Sequence, residues 1–501
     1  MAKYNNIALS CIAAMALASC SDDFLDVTNN TGENLEDYYT TAEHIDEALT
    51  AAYDPLHWPD WGLDQYNALN IDAEIMGDNF WVGGANAADM LNWHLLANYS
   101  ADANNTLQSL WTVDYSGIKR CNDVLRYLGW VTDMSDADKA VVEMQVRTLR
   151  VYYYNMLWHY FGNIPFYLVN LGSPYTAPQL QADEVYAKVI VELEEIISSN
   201  VLPMRWDDKN CGRASQAMAY MLYAEMVMYQ NDESRSAKAL EYMEKIIADS
   251  NYGLLDNYAD IWKESGEWSK ESIWEINYDD NNNERGWGSP LAIGGTVMPT
   301  LISPNQFNHD EYGLSNRDGW GFMPMRVETY NMFDEKDTRR AATCWDVRGV
   351  EYSERYQDTH IWLAKYIAQN ANNADAVGDI NLNYNNNYRV YRFSEALLNA
   401  AELVLKSNPS KAAQYVNLVR ARAGVDQLPS VSLEDIIQER RLEFVGEGKR
   451  YFDLVRTGLA ASVLVPDEYG YRTNAWTPSK KYIPIAQAEI DSDPNLVQNN
   501  Y

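Results

Sequence analysis

Positive charge is what this chain has least of. Against 72 Asp and Glu it carries only 39 Lys and Arg, a formal net charge of −33 over 501 residues. Such a surface repels phosphate backbones, which argues against nucleic acid as a partner. It also disfavours heavily anionic ligands wherever no local basic pocket overrides the net field. Cysteine is scarce too: five residues, at 11, 20, 121, 211 and 344, make no disulfide framework and show no zinc spacing. Cys121, Cys211 and Cys344 read as buried packing residues. The six histidines, at 44, 57, 94, 159, 309 and 360, include no pair at metal-ligand spacing. Neither G-x-S-x-G nor H-E-x-x-H occurs. "VGEGKRYF" (445–452) fails the phosphate-loop pattern, with Glu443 where the first Gly belongs and Arg450 in place of Ser or Thr. No residue set calls for a metal or a cofactor. "DDNNNE" (279–284) could offer oxygen ligands to a hard cation, but it lacks the calcium-hand spacing and reads as a solvated turn.

Long hydrophobic runs are also missing. Ile7 to Ala18 is apolar apart from Ser10 and Cys11, too short for the roughly 20 residues that span a bilayer. With Lys3 before it and Ala18-Ser19 after it, the stretch has the layout of a removable signal peptide, residues 1–19. Leu17-Ala18-Ser19-Cys20 resembles the bacterial lipobox, in which the chain is cut before the cysteine and the thiol is acylated. Each buried methylene contributes about 0.8 kcal/mol, so a multiply acylated Cys20 would hold a soluble domain at a membrane. Ser21-Asp22-Asp23 resembles the acidic signal that routes lipoproteins of Bacteroidetes to the cell surface.

What the chain does have is hydrophobic residues at 47%, enough for a large core, and an uneven choice of aromatics: 36 Tyr and 16 Trp against 10 Phe. Rings with a polar handle suit a surface that stacks on a ligand and stays wet. Helical periodicity covers 42–56, 105–129, 136–161 (with Ser135 as cap and Gly162 as stop), 183–199, 215–231, 235–249, 394–407, 410–423 and 432–456. The expected fold is mainly α: a tetratricopeptide-like stack of helix pairs over 40–250 and 390–460, with a loop-rich, partly β insert over about 250–390. Residues 20–501 are expected to form one domain. The aromatic run "YYYNMLWHYF" (152–161) has the spacing of a helix core, and Arg440, Arg441, Glu443, Arg450, Asp453 and Arg456 are expected in structural ion pairs.

Loops of this length inside a compact protein usually carry function. Two segments combine aromatic rings, planar polar groups and glycine. "GDNFWVGGANAADMLNW" (77–93) offers Asp78, Asn79 and Trp81. "NNNERGWGSP" (281–290) and "EYGLSNRDGWGFMP" (311–324) offer Trp287, Tyr312, Arg317 and Trp320. A sugar stacks its C–H face on an indole while its hydroxyls meet Asp, Asn and Arg, so these seven are the candidate ligand-binding residues.

In order along the chain, "CSDDFLD" (20–26), "LWTVDYSGIKRCNDVL" (110–125), "RTLRVYYYNMLWHYFGNIPF" (147–166), "DEVYAKVIVELEEI", "GRASQAMAYMLYAEMVMY", "YRVYRFSEALLNAAE" (388–402), "VNLVRARAG" (416–424), "ERRLEFVGEGKRYFDLVRTG" (439–458) and "KKYIPIAQAEIDSDPNLVQNNY" (480–501) resemble the SusD/RagB family of surface nutrient-binding lipoproteins. Ala486-Gln487 and Asn499-Asn500 are small departures from its usual ending. The resemblance implies a lipid-anchored protein of the outer membrane, facing the exterior, that captures oligo- or polysaccharide. It also implies a SusC-like TonB-dependent transporter as partner, which the protein serves as a lid without any covalent chemistry. Two alternatives stay open: a peptide-binding lid of the RagB kind, and a glycoside hydrolase.

Overall fold

A computed structural model describes residues 34–62, 65–281, 285–314, 318–369, 372–373, 376 and 378–501. The expected leader 1–19, the lipidation site Cys20 and the candidate Arg317 lie outside the described residues. Ten helices build the scaffold: α1 (Ala42–Tyr53), α2 (Gln108–Tyr127), α3 (Asp136–Phe161), α4 (Ala182–Ser199), α5 (Gln216–Gln230), α6 (Ser236–Ala248), α7 (Phe393–Val404), α8 (Pro409–Ala423), α9 (Leu433–Glu443) and α10 (Arg450–Arg456). From α1 to α8 each helix packs on the one before it, while α3 also reaches back to α1 and α5 to α3. The stack is continuous across the insert, since α7 resumes directly on α6. This is the mainly α, repeat-like scaffold the periodicity implies.

Local chemistry sets the helix ends. The Ser135 hydroxyl accepts the amide of Asp138 to start α3, and Ser215 and Ser432 do the same for α5 and α9. Tyr152, Tyr153, Tyr154, Leu157, Trp158, Tyr160 and Phe161 of α3 are all buried, so the aromatic run is core. One expected helix is two. The pattern over 432–456 breaks after Glu443, and the chain turns through Gly446 and Gly448, at φ +82° and +77°, before α10 begins. A side chain at 446 would also strike Leu363, 2.5 Å away. Of the three thiols, Cys121 and Cys344 are buried, whereas Cys211 is partly exposed.

The insert hangs from a two-stranded ribbon, β3 (Ser272–Ile276) against β6 (Tyr388–Arg392), antiparallel with a bulge at Trp274. Two smaller pairs are β1 (Ile164–Pro165) with β2 (Gln179–Leu180) and β4 (Cys344–Asp346) with β5 (Ile361–Leu363). A buried ionic network locks the ribbon to the C-terminal helices. Glu443 accepts from Arg339, Arg392 and Arg422, while Arg392 also reaches Glu271 and Glu447. Burial opposes the charge on Glu443, but the arginines win and hold its carboxyl far below the usual range. One large apolar core runs from Ile45 to Leu496. A small satellite core, built on Phe307, Leu314, Val347, Trp362 and Ile367, lies within the insert. Among the described residues, no helix is long and apolar enough to cross a membrane.

Candidate functional site

Four aromatic rings from three separate loops close into a quartet. Trp61 stacks on Tyr66 (4.5 Å, 25°), and Tyr66 meets Trp320 edge-on (5.3 Å, 78°). Trp320 lies nearly parallel to Trp287 (5.9 Å, 21°), and Trp287 returns edge-on to Trp61 (5.7 Å, 65°). Each ring therefore supports two others. Trp287 stands proud, 42% exposed, and the other three are half-buried.

Buried charge positions this cluster. Arg285 is fully buried and pairs with Asp60 through both terminal guanidinium nitrogens, at 2.5 and 3.2 Å. Its remaining donors go to the carbonyls of Pro290, Gly295 and Trp61. The residue two before Trp287 is thus bolted to the residue before Trp61. Trp287 Nε1 donates to Asp379 Oδ2 at 2.5 Å, which sets the plane of the exposed indole. Trp320 is fixed by its backbone: its amide donates to Thr300 O at 2.8 Å, and its carbonyl accepts from Arg355 Nη1 at 3.1 Å. Residue 319 must be glycine, because a Cβ there would lie 2.3 Å from Ser303 O. Burial first, then the carboxylates of Asp89 and Asp60, push the Tyr66 phenol up to about 12, so it remains a hydroxyl donor at neutral pH. Flat apolar faces, a phenol and a carboxylate rim make a surface suited to neutral polyols.

The segments singled out in the sequence do meet. Phe80 pairs with Met325 and Gly83 with Phe322, and the amides of Trp81 and Gly84 donate to Pro324 O and Gly321 O, each at 2.9 Å. The side chains divide. Trp287 and Trp320 join the quartet. Tyr312, 38% exposed, belongs instead to the satellite core, packed on Phe307 (5.3 Å) and Trp345 (5.7 Å). Trp81 is buried, with the Arg326 guanidinium 3.6 Å from its ring centroid and the edges of Tyr469 and Tyr471 against it. Asp78 pairs with Arg450 (2.7 Å) and Arg441 (2.9 Å). Burial would raise its carboxyl, but the two guanidinium groups override this and hold it at about 2. Asn79 is fully buried, donating to Glu74 (3.2 Å) and accepting from Arg441 (2.9 Å). Asp78 and Asn79 thus fasten this loop to the C-terminal turn, and the outer surface is left to the rings.

Sequence reading missed Trp61 and Tyr66. A signal is present in "WPDWGLDQY" (58–66), which is as dense in aromatic and turn residues as 77–93 or 311–324.

A helical stack that displays a rigid aromatic face from loops defines a ligand-binding scaffold. The chain belongs to the SusD family. The description "SusD family" matches residues 270–501, and "Starch-binding associating with outer membrane" matches residues 23–228. Surface glycan-binding protein A from Bacteroides thetaiotaomicron, solved in complex with laminarihexaose, is 53% identical (TM-score 0.88; 92% of this chain, 100% of that chain). Its namesake from Bacteroides uniformis is 61% identical (TM-score 0.86; the same coverage). A laminarin-binding SusD-like protein is 28% identical (TM-score 0.84; 92% and 99%).

Proposed function

We propose that this chain is a cell-surface glycan-binding lipoprotein that captures laminarin-type oligosaccharide on the Trp61–Tyr66–Trp287–Trp320 quartet. It hands the glycan to a SusC-like TonB-dependent transporter, over which it acts as a lid. The observation that carries the reading is the closed quartet with one indole exposed and its plane pinned by Asp379. A preorganised ring offers stacking area with little ordering cost on binding. The relative solved with laminarihexaose supports the choice of glycan class. Cys20 would carry the lipid, and the polar stretch after it would serve as tether. No covalent step is assigned. Tyr312 and Arg317, a few residues before Trp320 in the sequence, are proposed at the edge of the site; Trp81, Asp78 and Asn79 are proposed as its support.

The test is calorimetric titration of the lipid-free chain from Ser21 onward against laminari-oligosaccharides and a panel of other neutral and acidic polysaccharides. Binding to a laminarin-type glycan without release of reducing ends is the expected result. Binding only to another class, or any cleavage, overturns the reading. For the anchor, Cys20→Ala should abolish incorporation of labelled fatty acid and move the protein from the membrane to the soluble fraction.

A further inference from the structure

A second aromatic patch is built over Trp81. Tyr469 (53% exposed) and Tyr471 (36% exposed) stand offset and nearly parallel, with centroids 5.9 Å apart at 22°. Tyr356 adjoins Tyr471 at 5.6 Å. Beneath them Trp81, clamped by Arg326, supplies the floor.

The patch is built rather than incidental. The Asp467 carboxylate accepts the backbone amides of Tyr469 (2.8 Å), Tyr471 (3.1 Å) and Arg472, and so closes the turn that presents both rings. Arg472 is buried and donates to Ala97 O (2.8 Å) and Gly77 O (2.7 Å), which fastens the turn to the body. Gly470, at φ +74°, makes the reversal that sets the two tyrosines side by side. Exposed rings held this firmly mark a contact surface more than a packing remnant.

Backbone contacts join the patch to the quartet. The residue after Trp320 accepts the amide of Gly84 (2.9 Å), and Gly84 accepts the amide of Tyr356 (3.0 Å). Each link is a peptide unit or a paired backbone step of about 5 Å, so the backbones of Trp320 and Tyr356 lie within roughly 15 Å, a few sugar rings apart. Between them runs Arg355, whose side chain crosses Gly321 and whose guanidinium bonds the carbonyl of Trp320.

We propose that the glycan surface continues from the quartet across Arg355 onto Tyr356, Tyr469 and Tyr471, which take the distal sugars of a long neutral chain. This rests on the reading that the quartet binds glycan. Tyrosines suit the task because each presents a face for stacking and a hydroxyl for the wet rim. The neighbouring carboxylates of Asp467, Glu468 and Glu328 disfavour an acidic chain there. The consequence is a preference for length: affinity should climb as the oligosaccharide grows past what the quartet alone can hold.

Laminari-oligosaccharides of increasing length, ending with laminarin, would be titrated into three chains: wild type, the Tyr469→Ala/Tyr471→Ala double variant, and the milder Tyr469→Leu. Thermal unfolding would confirm that each is folded. The double variant should match wild type on the shortest oligosaccharide that binds, fall about tenfold or more behind on laminarin, and lose the length dependence. Tyr469→Leu should show a smaller loss of the same pattern. A double variant equal to wild type at every length overturns the extension, as does one weakened equally at every length. A wild type that binds none of the series overturns the parent reading and this one with it.

Discussion

The indoles of Trp287 and Trp320 lie 21° from parallel with centroids 5.9 Å apart, although they come from different loops of the insert. Two flat faces held in that relation present an offset, stepped surface rather than a single stacking plane. The two indoles differ in their share of the core, since Trp287 is largely outside it and Trp320 packs against it.

Trp287→Ala is therefore expected to weaken glycan binding by at least tenfold, about 1.4 kcal/mol or more, while the unfolding midpoint hardly changes. Trp320→Ala should weaken binding as much and also lower stability, because its ring packs on the main core. Titration calorimetry paired with thermal unfolding reads both effects. Equal binding by Trp287→Ala and wild type would remove the exposed indole from the site.

Arg285→Ala should destabilise the protein by about 3–5 kcal/mol, since it leaves the Asp60 carboxylate buried without its partner. The same change should weaken glycan binding, because it unfastens the loop of Trp287 from Trp61. Urea denaturation gives the first quantity and calorimetry the second. Retention of full affinity would show that the quartet is positioned without this pair.

The Asp78 ion pairs predict a limb of acid sensitivity. Its carboxyl sits at about 2 in the folded protein and near 3.9 in an unfolded chain. The folded value is the lower, so the contribution is complete above about pH 4 and is lost as the pH falls through 2. A gap of roughly two units corresponds to about 2.5 kcal/mol. Stability measured between pH 5 and 2 should fall less steeply in Asp78→Asn than in wild type, from a lower starting point.

Thiol labelling should separate the cysteines. In the folded lipid-free chain only Cys211 should react, and slowly, because burial raises its thiol. Cys121 and Cys344, buried and pushed up to about 12, should react only on unfolding. Rapid modification of two thiols in the native protein would contradict the packing around α2 or β4.

Most of the scaffold was legible because helices are written locally. Ser135 before a run with helical spacing, and Gly162 after it, bound α3 without help from the rest of the chain. Of the ion pairs of 440–456, Arg440 with Asp453 and Asp453 with Arg456 join residues close in the chain, whereas Glu443, Arg441 and Arg450 find partners far away in it. The break between α9 and α10 was less so, because "VGEGKR" shows its turn only when Gly446 meets Leu363 of a distant strand.

The site divides along the same line. By itself the sequence determined that aromatic, glycine-rich loops would interrupt a helical stack, and it pointed to those of Trp287 and Trp320 but not to that of Trp61 and Tyr66. Only the tertiary structure decided which rings face out. Trp81 and Trp287 sit in similar glycine-rich surroundings, yet Arg326, Tyr469 and Tyr471 cover the first, whereas Trp61, Trp320 and a hydrogen bond to Asp379 hold the second and leave it 42% exposed. Trp61 and Tyr66 reach the site through the bond between Asp60 and Arg285, a partnership far apart in the chain. Helix formation rests on hydrogen bonds a few residues away. The exposure of a ring rests on whatever distant segment packs over it, and that is settled only when the whole chain has folded.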